Sequence, residues 1–376
     1  MNRLITTLAV MLSAFCASSA YAQHYYVDAE NSQMLRFGDF HGSVRKEILL
    51  PGQVAGFNVY KADLHTHTIY SDGSVTPEFR MKEAWLEGLD IIAITDHIEW
   101  RPAEKEFGAY LKVEGTVEAD LNTPVRLAQK EAEYWDLFLI PGTEITRDGT
   151  DVGHFNALFT VDNNKIYDPD PVQAIRNAKA QGALVMHNHP GWWRTSIDFT
   201  ETEKAAYGEG LIDGVEVMND TEFYPGIIDR VREHGLFISS NTDIHGSTAE
   251  CFNAREFMRP ITLILASERT EKGIREALEA DRTLGFGFNT LCGSEQLLVE
   301  FFKASISVQK LSGTAYMLTN NSCVPYILQS EGANPMHLDP FCTLRLDGPS
   351  KFHVMNMFCG KDQHPVVDVT PKSWTV

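Results

Sequence analysis

Five short apolar runs in this chain each give way to histidine or a carboxylate, which demands a fold that gathers strand ends. Val59 to Leu64 leads into His65-Thr66-His67, and Ile91 to Thr95 into Asp96-His97. Phe138 to Ile140 reaches Glu144 through Pro141-Gly142-Thr143. Ala183 to Met186 delivers His187-Asn188-His189-Pro190, and Phe237 to Ser240 precedes Asp243-Ile244-His245. His154 opens a further apolar stretch. So many hard nitrogen and oxygen donors from distant segments are what a polynuclear metal centre needs.

Helical signals alternate with these runs. Thr76-Pro77 supplies a cap and a first-turn proline, Met81, Ala84 and Trp85 one apolar face, and Gly88 a stop. Asp170-Pro171 opens a second helix that Gly182 ends; Ile227, Ile228 and Val231 mark a third stopping at Gly235; Thr270 caps a fourth. Strand–helix alternation implies a mainly parallel sheet with helices outside it. A closed parallel barrel brings its strand ends to one rim, whereas an open sheet gathers ligands only near its switch point. The number of contributing strands favours the barrel.

His65 and His67 are two apart at a strand end, so their side chains share a face. A His-x-His pair alone is common by chance. Here it precedes Asp72 in a glycine-containing turn, and Asp243-x-His245 repeats the spacing. His234, beside Gly235 in the last turn of a helix, suits the helix dipole instead. His24, His41, His337, His353 and His364 lack a strand-end setting and read as surface or packing residues.

His65-Thr-His67-Thr-Ile-Tyr-Ser71-Asp72-Gly73, Thr95-Asp96-His97, Glu144, His154, His189-Pro190 and Asp243-Ile-His245 resemble the PHP (polymerase and histidinol phosphatase) superfamily. The match spans about Tyr60 to Gly246. More diffusely, Pro260 to Leu298 is similar to exported PHP phosphodiesterases with a β-rich tail. The resemblance implies an α/β fold, a distorted (β/α)7 TIM-like PHP barrel, around three divalent metal ions. His65, His67, Glu144 and Asp243 would hold the first ion. Glu144 would bridge to a second held by His154 and His189, and Asp72, His97 and His245 would hold the third. Zinc, manganese and iron(II) all suit such donors.

Two residues stand out as substrate contacts. Arg194, in Gly191-Trp192-Trp193-Arg194, is a candidate phosphate clamp with the tryptophans as a wall for an organic leaving group. The alternative is a surface arginine beside packed aromatics. His187 shares a face with His189 by strand alternation and either approaches substrate or packs. No protein acid is assigned; the expected nucleophile is a metal-bridging hydroxide.

Met1 to Ala22 reads as a secretory signal, with Arg3, an apolar core from Leu4 to Phe15, and Ala20-Tyr21-Ala22. That core is too short to anchor in a membrane. Residues 23–56 form an N-terminal extension, 57–303 the barrel, and 304–376 a small C-terminal β-sandwich accessory domain. In the last, Thr343 to Leu346 and Phe352 to Phe358 resemble a hairpin across Asp347-Gly348-Pro349-Ser350. Cys323, Cys342 and Cys359 either share one bridge or remain thiols.

A formal charge of −19 argues against nucleic-acid duplexes and anionic lipid as partners. The expected protein is an exported, periplasmic or extracellular, metal-dependent phosphoesterase acting on a small organic phosphoester, with diesters ahead of monoesters. Rival readings are a non-catalytic metal-holding binding module and an amide or lactone hydrolase. Oligomeric state is not encoded in any of these features.

Overall fold

The computed structural model describes residue 33 and residues 43–102, 120–146, 152–252, 257–348 and 350–370. The expected export signal, His24 and His41 lie outside them. Residues Lys46–Val376 form one compact unit.

The first half of the chain runs β1 (Gln53–Val54), β2 (Phe57–Asp63), α1 (Pro77–Leu86), β3 (Ile91–Ile94), α2 (Thr123–Tyr134), β4 (Phe138–Ile145) and β5 (His154–Leu158). It continues with α3 (Pro171–Ala180), β6 (Leu184–Asn188), α4 (Glu201–Gly208), β7 (Gly214–Asn219), β8 (Glu222–Phe223), α5 (Pro225–His234) and β9 (Phe237–Asn241). Then come β10 (Ile261–Ala266), α6 (Glu271–Glu279), β11 (Thr283–Gly287), β12 (Thr290–Gly293) and α7 (Glu295–Ser305). The anticipated caps form: Thr76 accepts from the Phe79 amide, Asp170 from Val172 and Thr270 from Gly273, while Gly235 ends α5 at φ +64°.

The architecture is mixed α/β around one curled sheet. Its strand path is β12-β11-β10-β2-β3-β4-β5-β6-β7, with β8 and β9 also pairing β7. Pairing is parallel through β2, β3 and β4 and through β6, β7 and β9, but antiparallel where β5 meets β4 and β6. The sequence suggested a mainly parallel sheet; β5 departs because Thr146–Gly153 is too short for a parallel crossover. β10 also runs antiparallel, to both β2 and β11.

Curling closes over the site. Thr66 forms a parallel bridge with Ile244, the His67 amide donates to Ile244 O at 3.0 Å, and the Asp243 amide to His65 O at 3.0 Å. The end of β9 thereby meets the end of β2. Register levels the other ends: Ile94 lies opposite Pro141, His97 bridges Glu144, and His154 lies opposite Asn188. Leu64, Ile140, Met186, Phe237 and Ile264, drawn from five strand regions, form one buried cluster with Ile274 and Leu278 of α6.

After α7 the chain continues without a linker into β13 (Ile306–Lys310), β14 (Ala315–Asn320), β15 (Tyr326–Gln329), β16 (Met336–Leu338), β17 (Thr343–Asp347), β18 (Lys351–Val354), β19 (Met357–Phe358) and β20 (Val366–Asp368). Two small sheets result, β13-β14-β17 and β16-β15-β18-β20, while β19 joins the large sheet beside β12. The expected hairpin is absent, because β17 pairs β14 and β18 pairs β15 and β20. An isolated hairpin buries too little; Leu346, Phe352 and Val354 instead join one buried cluster from strands of two different sheets. Among the described residues Cys251, Cys292, Cys323, Cys342 and Cys359 are free thiols.

Phe301, Phe302 and Tyr326 share a buried cluster with Leu263 and Phe286 of the large sheet, and the Phe302 and Tyr326 rings meet edge-on at 4.9 Å. We predict that Phe302→Ala costs about 3–5 kcal/mol. Because the core is continuous, calorimetry should record one transition, lowered as a unit. Two transitions, with only one lowered, would contradict a continuous core.

Candidate metal centre

Glu144, at the end of β4, is buried at 1% side-chain exposure with histidines on several sides. Its Oε2 lies 3.3 Å from His65 Nε2 and 3.4 Å from His67 Nε2. Asp243 Oδ1 lies 3.2 and 3.0 Å from the same two nitrogens. Donors around a tetrahedral ion with bonds of about 2.0 Å sit about 3.3 Å apart, so this spacing is that of a cation cage.

The opposite oxygens of both carboxylates face elsewhere. Glu144 Oε1 is 3.2 Å from His154 Nδ1 and 3.8 Å from His189 Nε2, and Asp243 Oδ2 is 3.7 Å from His189 Nε2. A third group centres on Asp72 Oδ1, 3.1 Å from His245 Nε2 and 3.4 Å from His97 Nε2, with His67 Nδ1 at 3.9 Å. All nine anticipated donors, His65, His67, Asp72, His97, Glu144, His154, His189, Asp243 and His245, thus fall into overlapping groups able to hold an ion. His67 Nε2 and Asp72 Oδ1 are buried without a hydrogen bond. Such orphaned atoms, aimed into a cluster of donors, fit divalent metal.

Local structure explains the placement. Gly73 lets its turn pass the Thr68 backbone, where a Cβ would come within 2.8 Å. Asp96 accepts from Thr68 N, Thr68 Oγ1 and Ser71 Oγ, fixing the loop that carries Asp72. Asp243 sits at φ +53°, a left-handed backbone uncommon for a non-glycine residue that turns its carboxylate inward. The His245 ring is held by Nδ1 donating to Asp243 O at 2.7 Å.

Two orienting residues escaped the sequence reading. Glu216, inside β7, accepts from His65 Nδ1 at 2.9 Å and from the His189 amide at 2.7 Å, leaving His65 Nε2 for the cluster. Its signal was a charge within Val215-Glu216-Val217. Arg80 of α1 is buried and donates to His67 O at 2.9 Å and Ile244 O at 3.2 Å, clamping the seam. Its helical setting gave no such hint.

His187 and Arg194 are not brought to the cluster. His187 Nε2 lies 3.0 Å from Glu203 Oε1, and its Nδ1 meets the Tyr207 hydroxyl at 3.0 Å. Arg194 donates to both Glu203 oxygens, at 2.6 and 3.2 Å. Of the two roles left open for His187, it takes the packed one, and the positive φ of His189 (+25°) breaks the extended backbone that would have kept the two side chains on one face. Arg194 is drawn away by a buried carboxylate that would otherwise lack a cation.

Charge follows this arrangement. Burial opposes ionisation of Glu144, yet His97 and His65 hold it well below the usual carboxylate range. Burial likewise opposes Asp243, and His65 and His67 keep it ionised. Burial, reinforced by His245 and His97, lowers His67 to about 3, leaving a neutral imidazole. Burial also works against charge on His97, but Glu144 and Asp72 outweigh it and raise His97 to about 10.

The solved structures include one 30% identical to this chain, covering 88% of it and 99% of the other with a TM-score of 0.80. That structure is a two-domain protein containing a predicted PHP-like metal-dependent phosphoesterase from Bacteroides vulgatus. The lesion-specific endonuclease Q of Pyrococcus furiosus (19% identity, 63% and 59% coverage, TM-score 0.39) and PsfC of Pseudomonas syringae (15%, 61% and 91%, 0.41) are more distant. No family sequence profile and no curated protein sequence matches the chain. The chain belongs to the PHP-like metal-dependent phosphoesterases. It is a metal-dependent phosphoric ester hydrolase.

Metal must displace the protons that the metal-free site holds on histidines with raised pKa. We therefore predict proton release on metal addition and an apparent affinity that falls with each step of pH below about 10, where His97 carries its proton. Titration in weak buffer with a pH electrode checks this. Glu216→Gln should weaken metal binding about 10–100-fold while the protein stays folded, as read by competition with a chelating dye.

Proposed function

We propose that the protein is an exported phosphodiesterase with a trinuclear centre, acting on a small organic phosphodiester. The observation that carries this reading is the pair of carboxylates, Glu144 and Asp243, each turning one oxygen to His65 and His67 and the other to the His189 side. Such sharing suits adjacent ions rather than one isolated ion. His65, His67, Glu144 and Asp243 would hold the first, Glu144 with His154 and His189 the second, and Asp72, His97 and His245 the third. Zinc, manganese and iron(II) are the candidates. The curled sheet is read as a distorted (β/α)7 barrel and residues 304–376 as an accessory β-sandwich.

Bound divalent ions would supply an activated water and positive charge for the phosphoryl oxygens. The protein's residues do the rest. Glu216 orients His65, Asp96 fixes the loop bearing Asp72, and Arg80 keeps the two ligand-bearing strand ends in register. His245 is the most open donor, at 38% side-chain exposure, and Asp72 and Asp243 are partly open. Substrate would enter over these three, with Glu144 beneath.

Diester preference follows from charge. With Arg194 bound to Glu203, a guanidinium clamp for a doubly charged monoester is diverted. A singly charged diester needs less neutralisation. Export rests on the composition of Met1 to Ala22. The partner proposed is a small-molecule phosphoester rather than a nucleic-acid duplex. Among the described residues no helix is long and apolar enough to cross a membrane.

Asp243→Ala should lower metal-dependent turnover by more than about 100-fold, beyond what loss of a residue behind the ligands costs. Matched chromogenic mono- and diesters decide the rest. Faster diester hydrolysis is expected, and hydrolysis of the monoester alone would reverse the assignment. Sequencing the mature N-terminus from the cell exterior should find Gln23 first.

A further inference from the structure

We propose that Trp192 and Trp193 form a stacking platform that selects phosphoesters whose alcohol portion carries a planar ring, an aryl group or a nucleobase. This rests on the phosphoesterase reading of the adjoining centre and adds its specificity.

The Trp192 ring centroid lies 5.5 Å from His154 and 5.3 Å from His189, both donors of the second group. Trp193 follows at 5.5 Å from Trp192, so the pair extends outward from the donors. Trp193 is 80% exposed and sits at φ +55°. A bulky residue in the left-handed region costs about 1–3 kcal/mol, and leaving an indole in water forfeits its burial. Neither cost serves the fold.

The segment is nevertheless firmly held. Trp192 N donates to His189 O and Arg194 N to Gly191 O, each at 3.0 Å. Gly191 lies against Tyr224, where a Cβ would approach within 2.5 Å of the ring. Beyond it, Arg194 is fastened to Glu203, which also takes His187 and the Thr200 amide. Thr200 donates in turn to Val152 O, and Gly153 packs on Glu203 immediately before His154. The same buried carboxylate thus anchors the far end of the tryptophan turn and the approach to a donor histidine. A turn this constrained holds its exposed indole at a set distance from the metal-binding side chains. Rings of the size of a nucleobase or phenyl group stack on such surfaces with geometries of about 4.5–7 Å between centroids, and stacking tolerates any planar ring.

The test uses full-length, metal-loaded protein and three series of phosphoesters, alkyl, phenyl and nucleoside, each as monoester and methyl diester. In Trp193→Ala the ratio of kcat/KM for ring-bearing over alkyl esters should fall about ten-fold, through KM, with metal content intact. Trp193→Phe should restore most of it. Quenching of tryptophan fluorescence by adenosine and by phenol, neither of which can be hydrolysed, should weaken in Trp193→Ala. Loss with the nucleoside series alone assigns a nucleobase; equal loss in both ring series assigns any aryl group. Turnover of monoesters only would sink the diester reading but leave the ring ratio to judge the platform. If Trp193→Ala depresses alkyl and ring series equally, or leaves both the ratio and the quenching unmoved, the platform is overturned.

Discussion

Glu144 is a carboxylate taken out of water and surrounded by imidazoles, and the rest of the molecule is arranged around making that tolerable. A buried charge without compensation costs several kcal/mol. His65, His97, His154 and His189 all approach it, and Asn188 donates to its Oε1 at 3.1 Å. Without metal, protons on raised histidines supply the balancing charge; with metal, the ions do. The same donors therefore serve folding and chemistry, and acid competes with cations for them.

Holding donors from six segments within a few ångströms requires the strand ends to meet. Register between β2, β3 and β4 does part of this, and the Thr66–Ile244 bridge completes it. Arg80 reinforces that seam from outside by taking carbonyls of both ligand-bearing ends. Left-handed residues at His189 and Asp243 then aim individual side chains where extended backbone would not. Backbone strain at two donors is offset by the network that fixes them.

Much of this was legible in the sequence, for physical reasons. Caps at Thr76, Asp170 and Thr270 are local chemistry, so those helices could be read directly. The donors were legible because hydrophobic runs ended on them. What depended on long-range pairing was not: β17 and β18 parted into different sheets although a turn-like sequence joins them. Alternation alone could not choose between substrate contact and packing for His187, because the positive φ at His189 is announced by no residue type. Glu203, Glu216 and Arg80 were hidden because the partners that give them their roles at the site lie 9 to 165 residues away and become neighbours only on folding.

Anomalous X-ray diffraction from crystals of the metal-loaded protein tests the central claim most directly. The account predicts three peaks: one among His65, His67, Glu144 and Asp243, one beside Glu144, His154 and His189, and one among Asp72, His97 and His245. Peaks elsewhere, or density showing these side chains turned away from a shared centre in the active enzyme, would contradict it.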